Sequence, residues 1–198
     1  MSKLLGNLPH GILFVISAPS AAGKTTLVNM LTKEFPIITR SVSCTTRAPR
    51  TGEKEGEDYF FLTKKEFKEK ESKGEFLEHA EVFGEHYGTS KAFVESQLRK
   101  GKHVVLVIDT QGALQLKKKV DAVFIFITAP SLSILEERML QRQTENKQMM
   151  EQRLIWAQHE IEMIPKYDYH IVNDNLETAY TALKSILIAE EHKVNRRK

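Results

Sequence analysis

"SAPSAAGKTTL", residues 17–27, is the stretch on which the reading of this chain turns. It follows a six-residue apolar run, "GILFVI" (11–16), and ends in Gly23-Lys24-Thr25-Thr26. The segment Ala18, Pro19, Ser20, Ala21, Ala22, Gly23, Lys24, Thr25 has the spacing of a loop that leaves a strand, turns its backbone N–H groups inward and opens a helix. Donors and helix dipole then both favour a phosphate group. In that reading Lys24 reaches the β- and γ-phosphates of a nucleotide and Thr25 ligates magnesium. Such a match arises by chance in about 1 to 2 per cent of chains this long. The plain alternative is an ordinary strand-to-helix turn with Thr25 near its N-cap. Alanine at 18 and 21 replaces residues that could take positive φ freely, and a methyl group in the left-handed region costs on the order of 1 kcal/mol. A working cradle is therefore expected to keep Ala18 and Ala21 at negative φ.

Three apolar runs, the first of them already quoted, frame the loop. "ILFVI" (12–16), "HVVLVID" (103–109) and "AVFIFIT" (122–128) are rich in Val, Ile and Phe with little alternation, as strands buried on both faces are; "YHIVND" (169–174) is a weaker fourth. Helical patterns cover 25–34, 110–119, 132–142, 149–164 and 176–192, and in the fourth of these Met150, Leu154, Ala157, Ile161 and Ile164 form one apolar stripe. Strands alternating with helices of this length predict an α/β fold, a parallel sheet between helical layers. Residues 41–90 break the rhythm with short β-like pieces around a charged helix at 64–73, and read as a small mixed subdomain inserted into that sheet protein. "RQTENKQ" (142–148) is a polar connector between two helices, suited to a lid.

The chain has 198 residues, 41% of them hydrophobic and 28% charged, enough for one domain with a proper core. Its net charge of +3 rests on the last six residues, "KVNRRK", which hold four positive charges; the remainder carries a net −1. A solvated tail explains that better than a nucleic-acid arm, so no nucleic acid is expected as partner. The single cysteine, Cys44, allows no internal disulfide and no zinc cluster, which fits a reducing, cytoplasmic setting. No run approaches the length of a membrane span, and no membrane partner is expected. The pattern does not separate a monomer from a homo-oligomer.

With these segments in place, the chain resembles the guanylate kinases among P-loop proteins, over about residues 13–190. The family loop reads Gly-Pro-Ser-Gly-x-Gly-Lys-Ser-Thr, from which "APSAAGKTT" departs at Ala18, Ala21 and Thr25. "SVSCTTRAPRTGEKEGEDYFF" (41–61), with two arginines three apart, resembles the family's nucleotide-binding signature, and "GEFLEHAEVFGEHYGTS" (74–90) and "VIDTQGA" (107–113) resemble two further family segments. The resemblance implies a three-layer α/β/α core at about 8–40 and 91–192, a GMP-binding subdomain at about 41–90, a lid at about 138–153 and a basic tail at 193–198. It also implies transfer of a phosphoryl group from ATP to GMP, with magnesium as cofactor.

It further implies roles for individual residues. Arg47, Arg50, Tyr59 and Tyr87 would hold the GMP phosphate, as arginine forks and phenol hydroxyls suit phosphate oxygens. Glu78 would accept from N1 and N2 of guanine while Ser43 and Thr89 face O6 or N7. Adenine offers no such donors, and a buried unpaired carboxylate is costly. Thr26 continues the ATP loop. Asp109 would hold waters of the magnesium shell or orient the acceptor; its other reading is a helix cap. Arg138, Arg142 and Arg153 would surround the ATP phosphates when the lid shuts; the other reading of Arg138 and Arg142 is pairing with glutamates on a solvated helix. Gln143 stands where the family has glycine. Asn173 is an adenine contact or a turn residue. Two rivals stand beside this: a phosphopeptide-binding module built on the same fold, and a same-fold kinase for a sugar phosphate.

Overall fold

The computed structural model of the chain describes residues 3–141 and 147–194. Arg142, Gln143, most of the polar connector and tail residues 195–198 lie outside the described residues. Nine strands and seven helices are found among those described. They are β1 (Leu13–Ser17), α1 (Lys24–Glu34), β2 (Ile38–Arg40), β3 (Ser43–Thr45), β4 (Tyr59–Phe61), α2 (Lys64–Ser72), β5 (Phe76–Val82), β6 (Glu85–Ser90), α3 (Lys91–Arg99), β7 (His103–Val107), α4 (Thr110–Leu116), β8 (Val123–Thr128), α5 (Leu132–Gln141), α6 (Lys147–Ile161), β9 (Tyr169–Val172) and α7 (Leu176–Glu191), with a 3-10 turn at Ile164–Lys166.

The core sheet has the order β2-β7-β1-β8-β9, parallel throughout. Burial on both faces explains the unbroken apolar runs: all five residues of β1 and all six of β8 are buried. Alternate side chains sort into two cores. Phe14 and Ile16 pack with Leu27, Val28 and Leu31 of α1 and Leu183 and Leu187 of α7. Leu13 and Val15 pack on the opposite face with Val94 of α3 and Ala113 and Leu116 of α4. The result is the three-layer α/β/α arrangement with a parallel core that the apolar runs predict. β1 lies between β7 and β8, so the loop that follows it and Asp109 at the end of β7 emerge side by side at the carboxyl edge of the sheet. That edge is where open parallel sheets bind ligands.

A second sheet, β4-β3-β6-β5, is built from residues between 43 and 90. Its β5–β6 hairpin turns through Phe83 and Gly84, both at positive φ (53° and 78°), the two-residue geometry that matches strand twist. Helix α2 lies on this sheet through Phe67, fully buried and stacked on Phe76 at 4.6 Å. Thr63 and Glu66 close its N-terminus as a capping box. The apolar stripe of α6 is only half-buried apart from Ala157, because this helix runs along the mouth of a cleft rather than through a core.

The two ends of the fold meet at one carboxylate. Glu191, 1% exposed, accepts hydrogen bonds from the backbone N–H groups of Gly6 (2.7 Å) and Asn7 (2.9 Å), from the Asn7 amide (2.7 Å) and from His103 Nε2 (2.5 Å). His103 Nδ1 in turn accepts from Ile12 N–H at 3.0 Å, so the imidazole is neutral and donates through Nε2. Burial lowers the His103 pKa against the pull of Glu191. For Glu191 burial alone would raise it, but the hydrogen bonds from Gly6, Asn7 and His103 outweigh that and hold it low. Both groups then bind protons more weakly folded than unfolded, so their contribution is full at neutral pH. It declines as pH falls below about 6.5 for His103 and below about 4.5 for Glu191. Glu191→Ala leaves these donors unmet, and chemical denaturation at pH 7 should read a loss of about 3 kcal/mol, with the difference from wild type narrowing in acid.

Candidate active site

Between the two sheets lies a cleft. One wall is the loop after β1: Ala18, Pro19, Ser20, Ala21 and Gly23, with Lys24 and Thr25 opening α1. The opposite wall comes from the second sheet and its connections, with Ser43, Arg47, Arg50, Tyr59, Glu78 and Tyr87. Asp109 sits on the floor, and Arg153 of α6 reaches in from the rim.

The loop keeps its curvature in spite of its alanines, but at a cost the sequence reading placed wrongly. Ala18 stays out of the positive-φ region, whereas Ala21 adopts φ 63°, in the left-handed region that glycine takes without strain. The expectation of negative φ at Ala21 is therefore corrected: the turn demands this conformation, and the methyl group bears it. Gly23 is at φ 94° and is the N-cap of α1. A methyl group there would collide with the Asn173 side-chain amide. That amide donates to the Ala22 carbonyl at 2.8 Å, while the Asn173 backbone N–H donates to Thr128 and its carbonyl accepts from Arg138 at 3.0 Å. Asn173, 5% exposed, thus stands behind the loop as its support, outside the cleft lining. Ala22, Thr26 and Arg138 are also outside the lining, Ala22 buried beneath the loop and Thr26 exposed on α1. The Lys24 ammonium folds back onto the Ala18 and Pro19 carbonyls, which mark a place for positive charge inside the loop.

On the facing wall, Arg47 Nη2 donates to both carboxylate oxygens of Glu53 (2.8 and 2.9 Å), and the guanidinium lies 5.4 Å from the centre of the Tyr59 ring. Tyr87 packs edge-on to Tyr59 at 6.0 Å. Two arginines and two phenols converge at this end, a set fit for a phosphate dianion. Deeper in, Glu78 is 4% exposed. Burial pushes its carboxyl up to about 7, the Thr89 hydroxyl bonded at 2.5 Å pulls it back in part, and the Asp109 charge pushes it further up. Thr89 is itself fully buried, so it reaches the site through Glu78 rather than by lining it. Asp109 takes the capping part, one oxygen accepting from Gly112 N–H at 2.9 Å to cap α4, and the residue also lines the cleft, its pKa raised by burial. Arg153 donates to the Ser20 hydroxyl at 2.9 Å.

A guanylate kinase family model matches residues 11–190. The chain belongs to the guanylate kinase family. It is 52% identical over 192 residues to a guanylate kinase of Protochlamydia amoebophila, covering 97% of this chain and 98% of that one. With a guanylate kinase of Chlamydia muridarum it shares 50% over 184 residues, 92% of this chain and 90% of the other. The crystal structure of guanylate kinase from Anaplasma phagocytophilum superposes with a TM-score of 0.80 at 39% identity, covering 95% of this chain and 89% of that one. As a member of the guanylate kinase family the chain is a phosphotransferase.

Glu160 and Phe83 are among the cleft residues of this guanylate kinase family member that escaped the sequence reading. Glu160 is 6% exposed; burial pushes its carboxyl up to about 7, Lys24 pulling it down and Asp109 pushing it up. It lies three residues after Ala157 on the buried side of α6, a position the apolar stripe concealed by passing through Ile161 instead. Phe83, at the hairpin tip, carried only the turn signal of Gly84. The loop geometry makes a paired prediction. Gly23→Ala should cost about 2 to 4 kcal/mol in denaturation and abolish nucleotide binding. Ala21→Gly should shift stability by less than about 1 kcal/mol, since relief of the left-handed strain is offset by the freer unfolded chain.

Proposed function

We propose that this protein transfers the γ-phosphoryl group of ATP to GMP, and to dGMP, releasing ADP and GDP or dGDP for purine nucleotide synthesis and GMP recycling. The observation that carries this reading is the buried Glu78 carboxylate, set in one cleft between an anion-binding loop and a cluster of two arginines and two tyrosines. A purine nucleotide with donors at N1 and N2 fits that carboxylate, its 5′-phosphate fits Arg47, Arg50, Tyr59 and Tyr87, and the second nucleotide's phosphates fit the loop. AMP would leave Glu78 facing an acceptor, which is the basis for its rejection. A sugar phosphate would have no use for the set of Glu78, Ser43 and Thr89. A phosphopeptide module would have no use for Lys24, Thr25 and Arg153 around a second phosphate site. The domain roles follow: the sheet of residues 43–90 takes the acceptor, the core loop takes ATP, and α5 and α6, with Arg138 and Arg153, close over the phosphates. The buried Cys44 thiol suits work in the reducing cytoplasm.

Magnesium fits the donors of the cleft, which are hard oxygens: the Thr25 hydroxyl and the Asp109 and Glu160 carboxylates. Bound with ATP, it would neutralise charge on the phosphate oxygens. The protein's own share is placement and charge. Lys24 leaves the Ala18 and Pro19 carbonyls for phosphate oxygens, the loop N–H groups and the α1 dipole hold the anion, and Arg47 and Arg153 approach the migrating group from opposite walls. Closure excludes water, so that ATP is not spent on hydrolysis.

Coupled ADP-release assays with ATP, magnesium and GMP, dGMP, AMP or a ribose bisphosphate test this. Turnover is expected with the two guanine nucleotides alone, and Glu78→Gln should lower kcat/KM for GMP at least a hundredfold, roughly 3 kcal/mol. Turnover with AMP or the sugar phosphate at comparable kcat/KM refutes the assignment. The pH profile has a defined sign. The guanine donors require the Glu78 carboxylate, which takes up a proton near pH 7 in the free protein. The KM for GMP should therefore rise as pH falls below about 7, by about tenfold per unit, and level off above it. In Glu78→Gln that limb should be flat.

A further inference from the structure

The tip of the β5–β6 hairpin carries a feature that neither stability nor the phosphate sites require. Phe83 occupies the first of two positive-φ positions, where asparagine, aspartate or glycine is favoured and a bulky side chain is strained. The residue is 53% exposed, so it is not held there by a core. An exposed aromatic on strained backbone gains nothing for folding on either count, and such outliers concentrate where geometry serves function.

The ring does have neighbours, and they lie on the other side of the cleft. It packs at 5.9 Å and 58° against Trp156 of α6. It also lies under the Arg153 guanidinium, whose carbon is 5.7 Å from the ring centre. The same guanidinium donates to Ser20 in the phosphate loop. A continuous chain of contacts therefore runs from the second sheet, through Phe83 and Arg153, to the loop after β1. A planar, weakly hydrated guanidinium stacks well on an aromatic face, which holds it by its charge rather than by its N–H donors.

We propose that Phe83 is a positioning residue for phosphoryl transfer, clamping Arg153 against the phosphate loop from the acceptor-binding sheet. The inference rests on the reading of the protein as an ATP–GMP phosphotransferase in which Arg153 stabilises charge on the migrating group. Phe83 and Glu78 sit on the same hairpin, so an acceptor seated at Glu78 fixes the strand that carries the ring. Filling the acceptor site then steadies the arginine of the opposite wall, and the two halves of the reaction become geometrically linked. Phe83 touches no reacting atom; it acts through Arg153.

The strained backbone supplies an unusually clean test, because glycine removes the ring and relieves the strain at once. Steady-state kinetics with ATP and GMP, thermal unfolding and the fluorescence of Trp156, the single tryptophan, are to be compared for wild type, Phe83→Gly, Phe83→Leu and Phe83→Tyr. Phe83→Gly is expected to unfold at the same or a higher temperature, yet to lose about fivefold to tenfold in kcat with both KM values within twofold. Phe83→Leu, apolar but without a π-face, should lose as much, and Phe83→Tyr should keep at least half of the wild-type kcat. The Trp156 emission should move to longer wavelength in Phe83→Gly as the indole loses its cover. Wild-type kcat in Phe83→Gly overturns the inference, as does a lowered unfolding temperature that accounts for the loss, an unchanged Trp156 emission, or equal losses in Phe83→Tyr. A wild-type enzyme active on GMP with an unimpaired Phe83→Gly variant overturns this inference alone; a wild-type enzyme inert with GMP overturns the functional reading on which it rests.

Discussion

The loop after β1 can bind phosphate only if its backbone is held in a shape the chain would not otherwise keep, and a single buried amide does much of that holding. Asn173 fills the space that a side chain at position 23 would need, bonds the Ala22 carbonyl from behind, and is itself anchored to Thr128 of the central sheet. Its carbonyl then receives Arg138 from α5. Loop, sheet and rim helix therefore share one support. A buried amide left without these partners would be expensive, so the arrangement is held as a unit or not at all.

The second constraint is desolvation. Glu78, Asp109 and Glu160 all have carboxyl pKa values raised by burial around one cleft whose ligands are anionic phosphates. Carboxylates are poor neighbours for phosphate unless cations stand between them. Lys24, Arg47 and Arg153, placed on separate walls, supply that positive charge, and the Arg47–Glu53 pair keeps one of them oriented before any ligand arrives. Charge in this cleft is organised by position: Glu78 stands at the base end, whereas Asp109 and Glu160 both feel the charge of Lys24 in the phosphate loop.

Much of this was legible in the sequence because it is governed by local rules. The apolar runs of β1, β7 and β8 announce strands buried on both faces, and Gly23-Lys24-Thr25 announces the turn into α1. β2 was not foreseen, since three edge residues, "ITR", form no pattern; nor was α3, whose polar sequence shows its start only through the Ser90 cap. In the site, the residues that line the cleft by virtue of their own motif were legible: Lys24, Arg47, Glu78 and Asp109. Those that matter through a neighbour were not. The support given by Asn173, the burial of Glu160 and the reach of Phe83 to Arg153 depend on elements far apart in the chain. The left-handed φ of Ala21 was hidden for a different reason, as the turn imposes it against the preference of the residue that occupies it.

The Glu191 cluster bears on the order in which the molecule can assemble. Its donors lie between 88 and 185 residues earlier in the chain. During synthesis Gly6, Asn7 and His103 emerge long before the carboxylate that satisfies them, so the first strand and the centre of the sheet can gather early but cannot be sealed until α7 is out. A nascent chain stopped short of Glu191 carries every described residue of the cleft and the donors of the lock, but not the carboxylate that joins them. Docking of α7 is therefore the step that joins the two ends of the fold.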